Sequence, residues 1–209
     1  MIAYTIKAAL DSGCFQKVVV TTEDREIAKV AKKYGAQVIN RPQELANDTA
    51  KTADVILHAI DYLEKEKKAP KVVALLQPNS PLCLPEDIKG AVELFFGQKC
   101  DSVVSMYEPT VSPYWMFKTR KKYVQPFFGC QYFSSRSQDL PKAYMPNGAI
   151  YVISTKRFKR DKKFYFPKTL PYIMPADRSI DIDTELDFRL TEFILKQHRR
   201  NEKKSKKKQ

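Results

Sequence analysis

The chain has 209 residues, 43% of them hydrophobic, which is enough for one α/β domain over residues 1–195. No apolar run approaches the ~18 residues of a membrane span, and residues 1–7 lack the basic lead and long apolar core of a secretion signal. The net charge is +13, but eight Lys/Arg against Glu202 put +7 of it in residues 196–209, leaving +6 for the body. That tail reads as a disordered basic extension. It has no interleaved aromatics, so nucleic acid ranks last among partners. The milder excess on the body suits anionic small molecules. Four scattered cysteines read as reduced thiols in a cytoplasmic protein.

Helices and strands alternate along the chain. Residues 3–10 read as the end of a helix stopped by Ser12-Gly13, and residues 17–21 as a short buried strand. Asp24 can cap a helix that Gly35 ends, and residues 37–39 form another strand. Thr52 can cap a helix to about Glu66, with Ile56, Leu57, Ile60 and Leu63 on its apolar face. Residues 71–76 read as a buried strand, Pro85 as the first turn of a helix to about Phe96, and residues 102–105 as another strand.

From 108 to 145 the pattern dissolves into aromatics and prolines, an insertion too long for a simple connection. Such an arm packs on a partner subunit or forms a satellite core in its own chain. A strand returns at 149–153. A last helix over 185–197 is expected to bury Leu186, Leu190, Phe193 and Ile194, with Thr184 and Asp187 at capping-box spacing. Strands alternating with helices imply a doubly wound, mostly parallel sheet in a Rossmann-like α/β fold.

Three stretches could carry chemistry. Asp181-Ile182-Asp183 places two carboxylates on one side of an extended segment, a costly pairing without a cation. Mg²⁺ takes one or two such ligands and fills its shell with water and phosphate. Helix capping is the plainer reading of that pattern. The apolar strand ending in Gln77, with Pro78 and Pro81 behind it, presents an amide where open α/β sheets bind ligands. Asn147, in a turn entering a strand, could bond a ligand or only satisfy the turn. Arg41 carries a guanidinium suited to phosphate. No Walker A or G-x-G-x-x-G motif is present. His58 and His198 have no nucleophile at a triad-like spacing.

Nine blocks in order carry a family resemblance, the most specific being LLQPNSPL (75–82), NGAIY (147–151) and DIDTELD (181–187). With them the chain resembles the acylneuraminate cytidylyltransferases (CMP-N-acetylneuraminic acid synthetases). The resemblance implies a nucleotide-diphosphosugar-transferase fold, a homodimer with 108–145 as its arm, and transfer of CMP from CTP to a sialic-acid-like nonulosonic acid. Asp181 and Asp183 would then hold Mg²⁺. Arg41 and Thr52 would lie in the cytidine pocket, and Gln77, Asn147 and Tyr151 along the sugar. Phe164 and Tyr165 would reach into the neighbour's sugar site.

Members of that family open with a strand and a basic, glycine-containing loop upstream of the segment matching Ala3–Ile6. The expectation is therefore an N-terminally truncated frame, or one that starts upstream, with an open sheet beside Val18–Val20 and little CTP turnover. Cys83 and Ser137 stand where the family has arginines. Two alternatives stay open: an inactive homologue, and a cytidylyltransferase for a legionaminic-type sugar or a 3-deoxy-octulosonate.

Overall fold

A computed structural model describes residues 1–206 except Asp48 and Lys68, with side chains described through His198. Helix α1 (Ile2–Asp11) ends as expected at Ser12, with Gly13 at φ +66°. Strand β1 (Val19–Thr22), helix α2 (Arg25–Lys33) and strand β2 (Gln37–Asn40) follow. Asp24 caps α2 by accepting from Ile27 N. Helix α3 (Thr52–Lys65) begins one residue earlier than a Thr52 cap would allow: Lys51 is the cap position, and Thr52 is the first helical residue.

Next come β3 (Val72–Leu76), α4 (Pro85–Gly97) and β4 (Ser102–Tyr107). The arm contains a hairpin that the sequence did not reveal, β5 (Phe117–Arg120) and β6 (Tyr123–Pro126), turning at Lys121 with φ +54°. Strand β7 (Met145–Ser154), the short helix α5 (Thr155–Asp161), β8 (Thr169–Ile173) and α6 (Glu185–Lys206) complete the chain.

The main sheet is mixed rather than mostly parallel, because β7 runs antiparallel to both of its neighbours in the order β3-β7-β4-β8. Parallel pairing joins β4 to β8 and β1 to β2. The β1–β2 pair is a separate sheet, so among the described residues β1 and β3 each have a ladder partner on one side only. That openness corrects the expected burial of β3, whose five apolar residues are all half-buried.

Alternation along β3 and β7 divides the core between two faces. Ala74, Ile150 and Val152 pack with Ile88 and Ala91 of α4 and with Ala8 and Ala9 of α1. Val73, Leu75 and Ile153 pack with Ile56 and Ile60 of α3 and Phe158 of α5. Helix α1 also reaches the smaller sheet, where Ile6 packs against Val20 and Val38.

One expectation about the C-terminus fails. Leu186, Leu190 and Phe193 are 75%, 46% and 59% exposed, and Ile194 is only half-buried, so the stripe on α6 is largely uncovered. Helical spacing identifies such a stripe but not what packs on it. The helix is assigned over Glu185–Lys206. Its surface carries Glu185–Arg189 and Glu192–Lys196 pairs at i,i+4, which favour helix. Residues 207–209 of the basic tail lie outside the described residues.

The irregularity that matters most is in β7. Val104 pairs with Tyr151 and Met106 with Pro146, so two steps on β4 face five on β7. The surplus forms a bulge at Asn147-Gly148-Ala149, and bulges re-aim the backbone next to functional sites. Gly148 sits at φ +74°, where a Cβ would lie 2.7 Å from Gln77 Oε1 and 3.2 Å from Asp181 Oδ2. The left-handed backbone alone disfavours an L side chain by about 1–2 kcal/mol. Gly148→Ala therefore lowers unfolding free energy by at least about that amount, read as a shifted urea midpoint at unchanged slope; an unshifted midpoint contradicts the bulge geometry.

Candidate functional site

The bulge is built from buried polar groups that satisfy one another. Asn147 is 3% exposed. Its Oδ1 accepts from Ser105 Oγ at 2.6 Å and from Ala149 N at 3.2 Å. Its Nδ2 donates to Ser179 Oγ at 2.9 Å and lies 3.2 Å from Met174 Sδ. Ser105 Oγ in turn accepts from Ile150 N at 2.8 Å, which satisfies an amide that the bulge removes from the ladder. All four valences of the Asn147 amide are thus used inside the protein. In this conformation none is free to meet a sugar, and the residue instead braces the floor of the crevice.

Above that floor, at the carboxyl end of β3, Gln77 and Asp181 stand on either side of Gly148. Ser80 is buried behind them; its hydroxyl donates to Asn147 O at 3.4 Å and lies 3.5 Å from Asp181 Oδ1. Ile182 N donates to Asn79 O at 2.9 Å, tying the aspartate segment to the turn after β3. Asp183 is exposed, and the capping box expected behind it is present: Thr184 N donates to Asp187 at 2.8 Å, and Asp187 N to Thr184 Oγ1 at 3.3 Å. Burial raises the Asp181 carboxyl above the ordinary carboxylate range, and the charges of Asp183 and Asp187 raise it further, against a lowering by Ser80.

Aromatic rings form one wall. Tyr151 stands on β7 opposite Leu75, with its ring 4.9 Å from Phe164 and 6.4 Å from Tyr165. Burial raises its phenol first, then the neighbouring Tyr165 and the charge of Asp181. Phe164 is also 5.1 Å from the buried Phe158, which commits it to its own chain's core. Tyr165 is the exposed member of the pair.

Arg41 and Thr52 lie elsewhere. Arg41 follows β2; its guanidinium donates to Thr21 O and approaches Glu23 at 3.6 Å, while its buried Nε has no partner. Thr52 is exposed at the start of α3. Among the described residues, no hydrogen bond or ion pair joins either of them to the aspartate crevice.

The residues missed in the sequence are Ser80, Ser105, Gly148, Ser179, Asp87 and Arg178. Ser80 was visible between two prolines, and Gly148 in an Asn-Gly pair. Asp87 and Arg178 are 91 positions apart and have no joint local signal. Beside that pair lies Cys83, whose thiol burial pushes up to about 12, with Asp87 adding and Arg178 opposing. All four cysteines are free, and among the described residues no helix is long and apolar enough to cross a membrane.

One carboxylate, a hydroxyl and an amide therefore meet at the carboxyl end of β3, with Asp183 near enough for its charge to act on Asp181, at the end of a sheet where α/β proteins hold ligands. Hard oxygen donors with uncompensated negative charge fit a divalent cation of the Mg²⁺ kind. Among the described residues no cluster of three or more His, Cys, Asp or Glu side chains is poised to hold a metal alone. Such a cation would draw the rest of its shell from water or phosphate.

The chain is 36% identical over 207 residues to the N-acylneuraminate cytidylyltransferase of Escherichia coli O18:K1:H7, covering 98% of this chain but 47% of that protein. It is 37% identical over 204 residues to the CMP-N,N'-diacetyllegionaminic acid synthase of Legionella pneumophila, covering 93% of this chain and 84% of that one. The chain thus spans about half of the first relative and most of the second. A solved CMP:2-keto-3-deoxy-manno-octonic acid synthetase in complex with CTP superposes with a TM-score of 0.67 over 94% of this chain and 88% of that one. Its 13% identity supports the α/β nucleotidyltransferase fold and no more. The family model described as Cytidylyltransferase matches residues 1–128, and with these relatives it establishes that the chain belongs to the cytidylyltransferase family.

Proposed function

We propose that this chain transfers CMP from CTP to a sialic-acid-like nonulosonic acid, with a divalent cation held at Asp181 and Asp183. The observation that carries the reading is the meeting of Asp181 and Gln77 across Gly148. A carboxylate that could hold a phosphate-bound cation and an amide that could read a sugar hydroxyl share one crevice there. In the reaction the sugar's anomeric oxygen forms a bond to the α-phosphorus, the α–β phosphoanhydride bond breaks, and pyrophosphate leaves. The hydroxyl proton passes to solvent or base. Mg²⁺, when bound, neutralises charge on the phosphates.

The chain's own residues do the positioning, a large part of catalysis in such transfers. Asp181 and Asp183 present oxygens, and Ser80 orients Asp181. Gln77, Tyr151 and Tyr165 line the sugar side, with Asn147 and Phe164 fixing their backing. Arg41 and Thr52 contact the nucleotide. The sugar class follows the relatives, one named for acylneuraminate and one for diacetyllegionaminic acid. Four free thiols fit a cytoplasmic location.

A second reading, a fold that binds without turnover, is favoured by one observation. Arg41 is the only cation among the residues assigned here to CTP, and its guanidinium is already engaged by Thr21 O and Glu23. Pyrophosphate release from CTP, Mg²⁺ and N-acetylneuraminate or diacetyllegionaminate separates the two. Turnover that stops on adding a chelator supports the transferase, and calorimetric CTP binding without turnover supports the second reading.

Substituting Asp181 tests the metal assignment directly. Its pKa is raised in the folded state, so folding binds the proton more tightly and the ionised carboxylate costs stability. This cost is full above the raised pKa and vanishes below the ordinary carboxylate value. Asp181→Asn is therefore expected to raise the melting temperature at neutral pH, with the gain fading in acid, and to abolish uptake of Mn²⁺ used as a probe. A lowered melting temperature with intact Mn²⁺ uptake would count against the assignment.

We also assign the arm to a homodimer contact. Part of it is a satellite core, with Tyr114 4.6 Å from Tyr132 and Phe117 4.5 Å from Phe133. Yet Tyr123, Val124 and Phe127 remain more than half exposed on the same arm, a patch that fits a protein interface. Light scattering should give twice the chain mass, and Phe127→Asp should give a monomer. A monomeric parent chain would refute this assignment.

A further inference from the structure

We propose that the Asp87–Arg178 ion pair is a positioning clamp that sets where the aspartate segment crosses the crevice. The inference rests on the reading of Asp181 and Asp183 as cation ligands. The segment from Pro175 to Thr184 links β8 to α6 and holds no regular structure beyond a 3-10 turn at Ala176–Arg178. Its course must therefore be fixed by individual side-chain and backbone contacts to other elements.

Arg178 supplies the strongest of these contacts. Its Nε and Nη2 donate to the two oxygens of Asp87 at 3.0 and 2.7 Å, the fork geometry that makes arginine specific for carboxylates. Asp87 is 1% exposed and lies in the first turn of α4, where Oδ2 also accepts from Leu84 N at 3.0 Å. A buried carboxylate fastened at both ends gives a rigid anchor, because losing one partner leaves a charge without compensation. Immediately after Arg178, Ser179 Oγ donates to Pro175 O at 2.8 Å and accepts from Asn147 Nδ2. Two residues later Asp181 enters the crevice, and Ile182 N is held by Asn79 O. The clamp is thus the first of three successive anchors, and it ties the aspartate segment to α4 in addition to its own helix, where Asp183 N donates to Asp187 at 3.3 Å.

Neither Asp87 nor Arg178 is assigned a contact with substrate, so each acts through Asp181. Groups that orient metal ligands typically change affinity by about 10–100-fold when altered. Arg178→Lys keeps the charge and removes the fork; Asp87→Asn keeps the shape and an acceptor for Leu84 N.

The test compares the full chain with both single variants and the double variant, at a temperature well below every melting midpoint. It measures Mn²⁺ affinity in the presence of CTP from the electron paramagnetic resonance of the free ion, and amide hydrogen exchange over residues 179–184. The clamp predicts about tenfold weaker Mn²⁺ binding in each single variant. It also predicts no further loss in the double variant, and faster exchange at 179–184 with unchanged exchange within α4. Unchanged affinity and exchange in folded single variants would overturn it, as would additive losses in the double variant. If Arg178→Lys does not fold, the isosteric Asp87→Asn decides. If the parent chain itself takes up no Mn²⁺, the reading of the aspartates as ligands fails, and exchange at 179–184 still decides the clamp.

Discussion

The geometry of the crevice depends on the hydrogen bonds that Asn147 makes inside the β7 bulge. Its amide holds Ser105 on β4, Ala149 in its own strand and Ser179 on the aspartate segment. Three elements distant in sequence are thereby locked to one buried side chain. The bulge then lifts Gly148 beside Gln77 and Asp181, at a positive φ that favours glycine and with both side chains close to where a Cβ would stand. Buried polar networks of this kind cost little when every member is satisfied and a great deal when one is lost. The floor of the site is therefore rigid, while the groups above it keep free valences for a ligand.

Electrostatics divide along the same line. The floor is neutral and closed, whereas the rim carries Asp181, Asp183 and Asp187 close enough to raise the first of them. Stability alone would not favour such an arrangement; the cation proposed for this site would offset it. The other concentrated charge, Asp87 with Arg178, is internally compensated and buried against α4. One set of charges stays available for a ligand, and the other is consumed in holding the frame.

Much of this was legible in the sequence wherever the signal is local. The strand ending at Gln77, the Asp24 cap, Pro85 at the first turn of α4 and the Thr184–Asp187 box all follow from short-range chemistry. The paired aspartates stood out as two carboxylates in an extended segment, with helix capping the plainer reading of the pattern taken alone. What could not be read was non-local. Nothing in Ala149-Ile150-Tyr151-Val152-Ile153 reveals that the strand runs antiparallel to both neighbours, because a strand buried on both faces has the same apolar pattern in either direction. Leu186, Leu190 and Phe193 show the right spacing for a buried face, yet spacing does not supply a covering surface. Asn147 could be read from the sequence either as a ligand contact or as a residue that satisfies its turn; the bulge turns its amide inward. Leu75 and Leu76 appeared fully buried because the sequence could not show that β3, among the described residues, has a ladder partner on one side only.

The central claim is that the β7 bulge gathers Asp181, Asp183 and Gln77 into one cation-and-sugar crevice. Anomalous diffraction from crystals of the chain soaked with Mn²⁺ and CTP tests it most directly. The account predicts a single strong peak within coordination distance of the Asp181 and Asp183 carboxylates, with the triphosphate beside it and Gln77 facing the same space. A peak at another site, or nucleotide bound far from Gly148 with both aspartates bare, would contradict it.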